Sequence, residues 1–368
     1  MNILCMNYEY PPIGGGGGAM CKGLAELMVS YGHEIDVVTS GTNDLPSYEE
    51  VNGVRIHRVW CIRRYKHYVT VPEMMSQVLP AYVKARSLAD RKAYDLNHTH
   101  FVVPSGIVSY MLWKRNRIPY IITAHGSDIP YYNPDRFSNC HAILTPFWKR
   151  IIKNSRAIVC PSNFLKELMI KQIDIPVEVI PNGYPVSPLN PEESIKRPRI
   201  LIVTRMFERK GVQYFLEVLD KIDTDWEVNI AGDGPYLAEL KEKAKRVGPK
   251  VSFLGFLNRS ELNELYNSSM IFVFPSIQEN FPMVLLEAMD AACAIITTDA
   301  PGCREVVGDA AIQTRCGSTE QLEKALALLI NNGGERRRLS RLGRARVQNF
   351  SWPVVARRYE EIMKRCML

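Results

Sequence analysis

Met270-Ile-Phe-Val-Phe-Pro-Ser-Ile-Gln-Glu-Asn-Phe-Pro-Met-Val-Leu-Leu-Glu287 joins a strand, a loop and a helix in one short stretch. Met270–Phe274 is continuously apolar, as expected of a strand buried on both faces. Pro282 suits the first turn of a helix, where a missing N–H costs nothing. Glu279 therefore falls in the loop and Glu287 on the helix, about 7–8 Å along the axis from Pro282. Between the two carboxylates, the unpaired N–H groups of Phe281, Met283 and Val284 make a natural anion site. Taken alone, an E-x7-E pair is more often two ordinary helix-surface charges.

Similar strand–helix steps continue outward in both directions. The expected strands of the first half lie near Ile3–Cys5, Ile35–Thr39, Arg55–Val59, Leu96–His98, Tyr120–Thr123, Ala157–Cys160 and Val177–Ile180. Four prolines between Pro181 and Pro191 then break the pattern, reading as an interdomain linker. It restarts with strands at Arg199–Val203, Glu227–Ala231, Val251–Phe253, Ile271–Phe274, Ala294–Thr297 and Ala311–Gln313. Alternating βα units of this kind predict an α/β protein of two doubly wound, Rossmann-like domains with parallel sheets, facing across a cleft. The expected boundaries are 1–185 for the first domain, 186–198 for the linker and 199–350 for the second domain. A C-terminal helix, 351–368, is expected to pack back toward the first domain. The many arginines of the tail read mostly as solvated helix faces.

A chain of 368 residues, 46% hydrophobic and 23% charged, has the size and composition of a soluble two-domain protein. Its net charge of +7 favours anionic ligands or surfaces without indicating nucleic acid. Nine cysteines, without a C-x-x-C pair, point to reduced thiols in a cytosolic compartment. No apolar run is long enough to span a bilayer, and Met1–Asn7 reads as a first strand rather than a signal peptide.

Ligands of open parallel sheets bind beyond the carboxyl ends of the strands, which separates the candidates. Gly14–Gly18 follows the first strand and leads to a helix, either as a backbone anion cradle or as a flexible turn. His125, directly after a strand, can serve a ligand hydroxyl or satisfy local backbone. His98 and His100 share a strand end and would suggest a metal only with a third ligand nearby. Arg205 and Lys210 follow the first strand of the second half, where they match a diphosphate or, equally, a pair of surface salt bridges. The turn Ala231-Gly-Asp-Gly-Pro235 should shape the same edge. Asp223-Thr-Asp225 has a metal-binding D-x-D spacing, but it precedes a strand and reads as a solvated turn.

Together these pieces resemble the retaining, family-four glycosyltransferases of the GT-B fold. The matching motifs are Pro12-Ile-Gly-Gly-Gly-Gly, Gly32-His-Glu-Ile-Asp-Val-Val-Thr39, Thr123-Ala-His-Gly, Pro161-Ser-Asn-Phe and Val179-Ile-Pro-Asn-Gly183. They continue through Arg205 with Lys210-Gly211, Ala231-Gly-Asp-Gly-Pro, Phe253-Leu-Gly-Phe256, the glutamate pair and Pro301-Gly-Cys-Arg-Glu-Val-Val307. The resemblance implies that Glu287 holds the ribose hydroxyls, Glu279 contacts the donor sugar, and Arg205 with Lys210 binds the diphosphate. It aligns Gly15 and Gly16 with a phosphate-approaching glycine pair and His125 with a sugar-contacting histidine. The backbone around Phe256 and Leu257 would meet the base, and Asn280, Phe281, Met283 and Val284 would line the donor site. Pro282, Ala292, Ala294 and Pro301 depart from the family pattern without removing a charge.

The implied function is a retaining, metal-independent glycosyltransferase with no cofactor, in which the leaving phosphate helps deprotonate the acceptor. It would move a hexose or N-acetylhexosamine from a UDP-sugar, with GDP-mannose as runner-up, to a glycan, lipid-linked or small-molecule acceptor. A nucleotide-sugar epimerase of the same fold and a catalytically silent binding module are the alternatives. Arg63-Arg-Tyr-Lys-His67 and Met74–Lys92 suit weak contact with an anionic membrane or, as well, a solvated loop and a core-facing helix. The expected location is cytoplasmic, including the cytoplasmic membrane face.

Overall fold

The computed structural model describes residues 1–65, 69–130, 132, 145–188, 196–247 and 251–367. They divide into two compact units, Met1–Gly183 with Trp352–Leu368, and Tyr184–Ser351.

The first unit carries an eight-stranded sheet of β1 (Asn2–Met6), β2 (Glu34–Ser40), β3 (Tyr48–Val51), β4 (Val54–Val59), β5 (Leu96–His100), β6 (Tyr120–Thr123), β7 (Ala157–Cys160) and β8 (Val177–Val179). Its order is β3-β4-β2-β1-β5-β6-β7-β8. All pairs are parallel except β3 with β4. That hairpin closes on Asn52 and Gly53, both at positive φ (52° and 78°), the backbone of a tight primed turn. Side chains alternate across the sheet. Ile3 and Cys5 join the core under the helices Gly16–Ser30 and Trp352–Met367, whereas Leu4 and Met6 join the core on the opposite face.

The C-terminal helix is keyed into the first unit by Trp352. A Cβ added at either Gly23 or Gly183 would lie 2.2 Å from its indole, so only glycine admits the ring at both positions. Val355, Ala356, Tyr359, Ile362 and Met363 then bury one face of this helix beside Met20, Leu24 and Met28.

The second unit carries a fully parallel sheet of β9 (Arg197–Val203), β10 (Glu227–Ala231), β11 (Val251–Gly255), β12 (Ser269–Phe274), β13 (Ala294–Thr298) and β14 (Ala311–Thr314). The order is β11-β10-β9-β12-β13-β14, with Leu201 and Val203 facing one core and Ile200 and Ile202 the other. The strand order reverses between β1 and β5 in the first sheet and between β9 and β12 in the second. In each unit the crevice for a ligand is expected there.

Three sequence expectations change. The linker expected at 186–198 falls partly on 189–195, outside the described residues, and both of its ends belong to the second unit. Ser187 donates its N–H to the Asp290 carboxylate (3.1 Å), and Arg197 pairs with Ser269 at the start of β9. Most of the tail arginines are exposed as expected, but Arg336, Arg344 and Arg346 are half-buried, because carbonyls and carboxylates lie within their reach. Arg344 pairs with Asp290, Arg346 donates to the carbonyls of Glu305 and Val306, Arg336 donates to that of Ile330, and Arg358 donates to that of Val179. Met74–Lys92 is two helices, Val71–Ser76 and Val78–Ala89, the first closed by a Thr70–Glu73 capping box. The eight cysteines among the described residues are free, and no helix there is long and apolar enough to cross a membrane.

Candidate functional site

In the second unit, β9 and β12 deliver two loops that are laced together. Arg209 offers its carbonyl to the Ile277 N–H (2.9 Å) and the Ser276 hydroxyl (3.2 Å). Gly211, at φ 71°, makes the close approach, since a Cβ there would sit 2.0 Å from the Pro275 carbonyl oxygen. This lacing carries Lys210 onto Glu279. The two side chains form an ion pair and are nearly buried, 12% and 11% exposed, so they act as one unit rather than as independent surface charges. The Lys210 ammonium also lies 5.7 Å from the Phe274 ring centre.

Arg205 stands apart from this pair. It is exposed, its guanidinium lies over the Phe207 ring (5.8 Å), and among the described residues it has no carboxylate partner. Its loop is locked by the turn after β10. Met206 N–H donates to the Asp233 carbonyl (2.9 Å), and Cβ atoms at Gly232 and Gly234 would meet the Thr204 and Met206 carbonyl oxygens at 1.8 and 2.5 Å. Of the two cations expected to face a diphosphate, Lys210 is thus already neutralised by Glu279. Arg205 carries the uncompensated charge.

The helix of the glutamate pair runs Met283–Asp290, with Pro282 at its N-cap in extended conformation rather than inside the first turn. The Glu279–Asn280 backbone passes over Gly302, where a Cβ would lie 2.2 Å from the Asn280 oxygen. Pro301, the family's missing glycine, simply opens the following helix. Phe281 packs edge-on against Phe350 (5.7 Å), and Met283 and Val284 lean on the same core, so these residues have backbone N–H groups to offer a ligand. Phe256 is 82% exposed beyond β11, and Leu257 is packed beneath it.

Glu287 is paired with Arg259, a residue the sequence reading missed. Arg259 follows Asn258, which caps the helix Arg259–Ser268 in a capping box with Glu261. Arg259 and Glu287 line a cavity of about 300 Å³ with Tyr184, Asn263, Tyr266 and Asp290. Burial, then the Glu287 charge, raises the Tyr266 phenol well above its ordinary pKa, keeping it a neutral donor.

In the first unit, the helix Gly16–Ser30 begins inside the glycine run, with Gly15 as its N-cap. Glu9, also missed in sequence, accepts the Gly15 N–H (3.0 Å) and fills the space beside Gly14, where a Cβ would be 2.4 Å from its own. Gly17 backs onto Phe101, 2.4 Å from where a Cβ would be, while Gly16 faces open space. His125 sits beside this loop, its ring 4.5 Å from Phe101 and its Nε2 3.0 Å from His100 Nδ1. Burial holds the neighbouring imidazoles neutral. His98 and His125 are lowered to about 3, and His100 lies well below its ordinary value.

Asp128 is tied to its own loop. It is buried, and its carboxylate accepts the N–H groups of Val102 (2.8 Å), His125 (3.0 Å) and Gly126 (3.0 Å), which shapes the histidine loop. Among the described residues no group of three or more His, Cys, Asp or Glu could hold a metal ion. Asp223-Thr-Asp225 lies just before β10, at the amino end of the sheet, with Thr224 Oγ1 accepting the Trp226 N–H.

Residues 14–187 match the model of Glycosyltransferase Family 4, and residues 190–346 match that of Glycosyl transferases group 1. An uncharacterized glycosyltransferase of Methanocaldococcus jannaschii is 32% identical over 83% of each chain. The N-acetyl-alpha-D-glucosaminyl L-malate synthase of Bacillus anthracis is 28% identical over 90% of each. Among solved structures, sucrose-phosphate synthase from Thermosynechococcus elongatus superposes with a TM-score of 0.82 at 19% identity, covering 99% of this chain and 98% of that one. Anabaena HepE in complex with UDP gives 0.78 at 18% identity, covering 99% and 100%. The chain belongs to the family-four glycosyltransferases of the GT-B fold.

Proposed function

We propose that this glycosyltransferase is a retaining enzyme that moves a hexose or N-acetylhexosamine from a nucleoside diphosphate without a metal. UDP is favoured over GDP as the donor nucleotide. The observation that carries the reading is the uncompensated Arg205 guanidinium, on the same loop after β9 as Lys210 of the Lys210–Glu279 pair, at the switch point between β9 and β12. Departure of the diphosphate breaks the sugar C1–O bond and leaves an extra negative charge on the leaving oxygen. Arg205, Lys210 and the N–H groups that open the helix Met283–Asp290 are suited to that charge. In this reading the acceptor oxygen bonds to C1 on the departing face and its proton passes to the leaving phosphate.

Glu287, with Phe256 and Leu257 nearby in sequence to Arg259, is assigned to the nucleoside, and Glu279 to the sugar hydroxyls. Gly15, Gly16 and His125 are assigned to the donor from the first unit. The preference for UDP is supported by the HepE structures with UDP and UDP-glucose. A thermal-shift series over UDP, GDP, ADP and CDP tests it, because a ligand at one hundred times its Kd stabilises by about 2.7 kcal/mol. UDP should give the largest shift. Equal shifts across the series would count against the preference for UDP, and no shift at all against a built nucleotide site.

A lipid-linked acceptor or membrane-face location is favoured by one surface of the first unit. Trp60, Ile62 and Tyr65 are 65%, 53% and 66% exposed around Arg63 and Arg64, and Leu79 and Val83 project from the helix Val78–Ala89. Aromatic and basic side chains in this mixture suit an anionic interface. Lys66 and His67 of the same stretch lie outside the described residues. Flotation with anionic vesicles at low salt should retain the protein and release it at high salt; absence from the floated fraction refutes membrane contact.

A further inference from the structure

We propose that His100 is a positioning residue for the donor-sugar histidine: its hydrogen bond fixes the ring orientation of His125 and couples the tautomers of the two rings. This rests on the assignment of His125 to the donor sugar. β5 ends in Leu96-Asn-His-Thr-His100, and both histidines are about 1% exposed, an uncommon place for imidazoles without a partner or a task. His98 is accounted for by packing and local bonds. Its Nε2 lies 2.9 Å from the Thr123 hydroxyl, which donates onward to the Tyr359 hydroxyl (3.3 Å), and its ring rests against Tyr359.

His100 is different, because its partner is a residue of the candidate site. The His100 and His125 rings stack at 5.3 Å and 13°, with His100 Nδ1 and His125 Nε2 3.0 Å apart. Both rings are neutral, so this contact needs an N–H on one side and a bare nitrogen on the other. The two tautomers are therefore complementary: if His100 donates, His125 carries its proton on Nδ1, and if His125 donates, it carries it on Nε2. Phe101 and Gly17 confine the plane of the His125 ring, but a ring turned over by 180° occupies nearly the same space. The N–H···N bond distinguishes the two orientations. An apolar side chain at 100 would fill the volume without making that choice.

The test combines side-chain 15N NMR with donor turnover. In the wild-type protein at pH 7 both rings should be neutral and complementary, with a single proton shared between the facing nitrogens, His100 Nδ1 and His125 Nε2. His100→Phe should fold, show a mixed His125 tautomer, and lose about tenfold in kcat with the nucleotide affinity within twofold. His100→Gln, which again offers a donor and an acceptor, should recover most of the loss. Facing nitrogens that are both protonated or both bare in the wild type, or a charged His125, overturn the proposal, and that measurement stands even if the Phe variant fails to fold. An unchanged kcat in His100→Phe, or no recovery in His100→Gln, also overturns it. Absence of donor turnover in the wild type would instead strike the functional assignment of His125, while the tautomer measurement remains decisive for the His100 bond.

Discussion

Glu279→Gln should lower kcat by about two to three orders of magnitude while leaving nucleoside diphosphate affinity within about tenfold, a loss of roughly 2.7–4 kcal/mol of transition-state stabilisation. The change keeps the shape and removes the charge. Its consequence follows from the Lys210–Glu279 pair, which is nearly buried and shares one laced pair of loops. With a neutral amide at 279, the ammonium of Lys210 loses its partner and is freer to meet a diphosphate, so binding is preserved or strengthened. What is lost is the carboxylate that holds the ammonium and that the proposed function assigns to the sugar hydroxyls. Glu287→Gln should behave in the opposite way, with weaker nucleotide binding and a smaller effect on saturated turnover. Steady-state kinetics and UDP titration of the two variants measure the split. Equal effects on affinity and turnover in both would contradict it.

Gly232→Ala is the second large effect, and it acts on the fold. Gly232 has φ +125°, and a Cβ there would lie 1.8 Å from the Thr204 carbonyl oxygen. Neither partner is a flexible side-chain end, since both belong to backbone at the carboxyl ends of adjacent strands. Left-handed strain and the forced separation together should cost on the order of 3 kcal/mol. For a unit of this size that corresponds to roughly 6–12 °C in melting temperature, read by calorimetry. The loop displaced is the one that carries Arg205, so nucleotide affinity should fall as well. Gly16→Ala is the internal control. Nothing lies within 4 Å of the added methyl, and the residue is the first of its helix, so stability should change by no more than about 0.5 kcal/mol. A loss of donor turnover in that variant without a loss of stability would tie the open side of Gly16 to the ligand.

The fold was legible because apolar strands buried on both faces, such as Met270–Phe274 and Arg199–Val203, leave little ambiguity about period or partner. The edge strand β3 was overlooked. Its residues, Tyr48-Glu-Glu-Val51, are half exposed and carry no apolar run, and the signal for it is the Asn52-Gly53 turn. Within the candidate site, Arg205, Lys210, Glu279 and Glu287 could be named from strand ends and motif spacing alone. Their pairing could not, because whether Lys210 meets Glu279 depends on the loop lacing through Arg209, Ile277 and Gly211. Glu9 and Arg259 were missed for a related reason. Each stands near a motif without belonging to one, and only the folded chain brings Glu9 onto the Gly15 N–H and Arg259 onto Glu287.

Transfer with retention is tested most directly by proton NMR of the protein incubated with UDP-glucose or UDP-N-acetylglucosamine, with and without a sugar or glycolipid acceptor. The account predicts UDP release together with a newly formed sugar product whose first-observed anomer matches the α-configuration of the donor, abolished in Arg205→Ala. Formation of an epimerised UDP-sugar without any transfer, or of the β-anomer first, would contradict it.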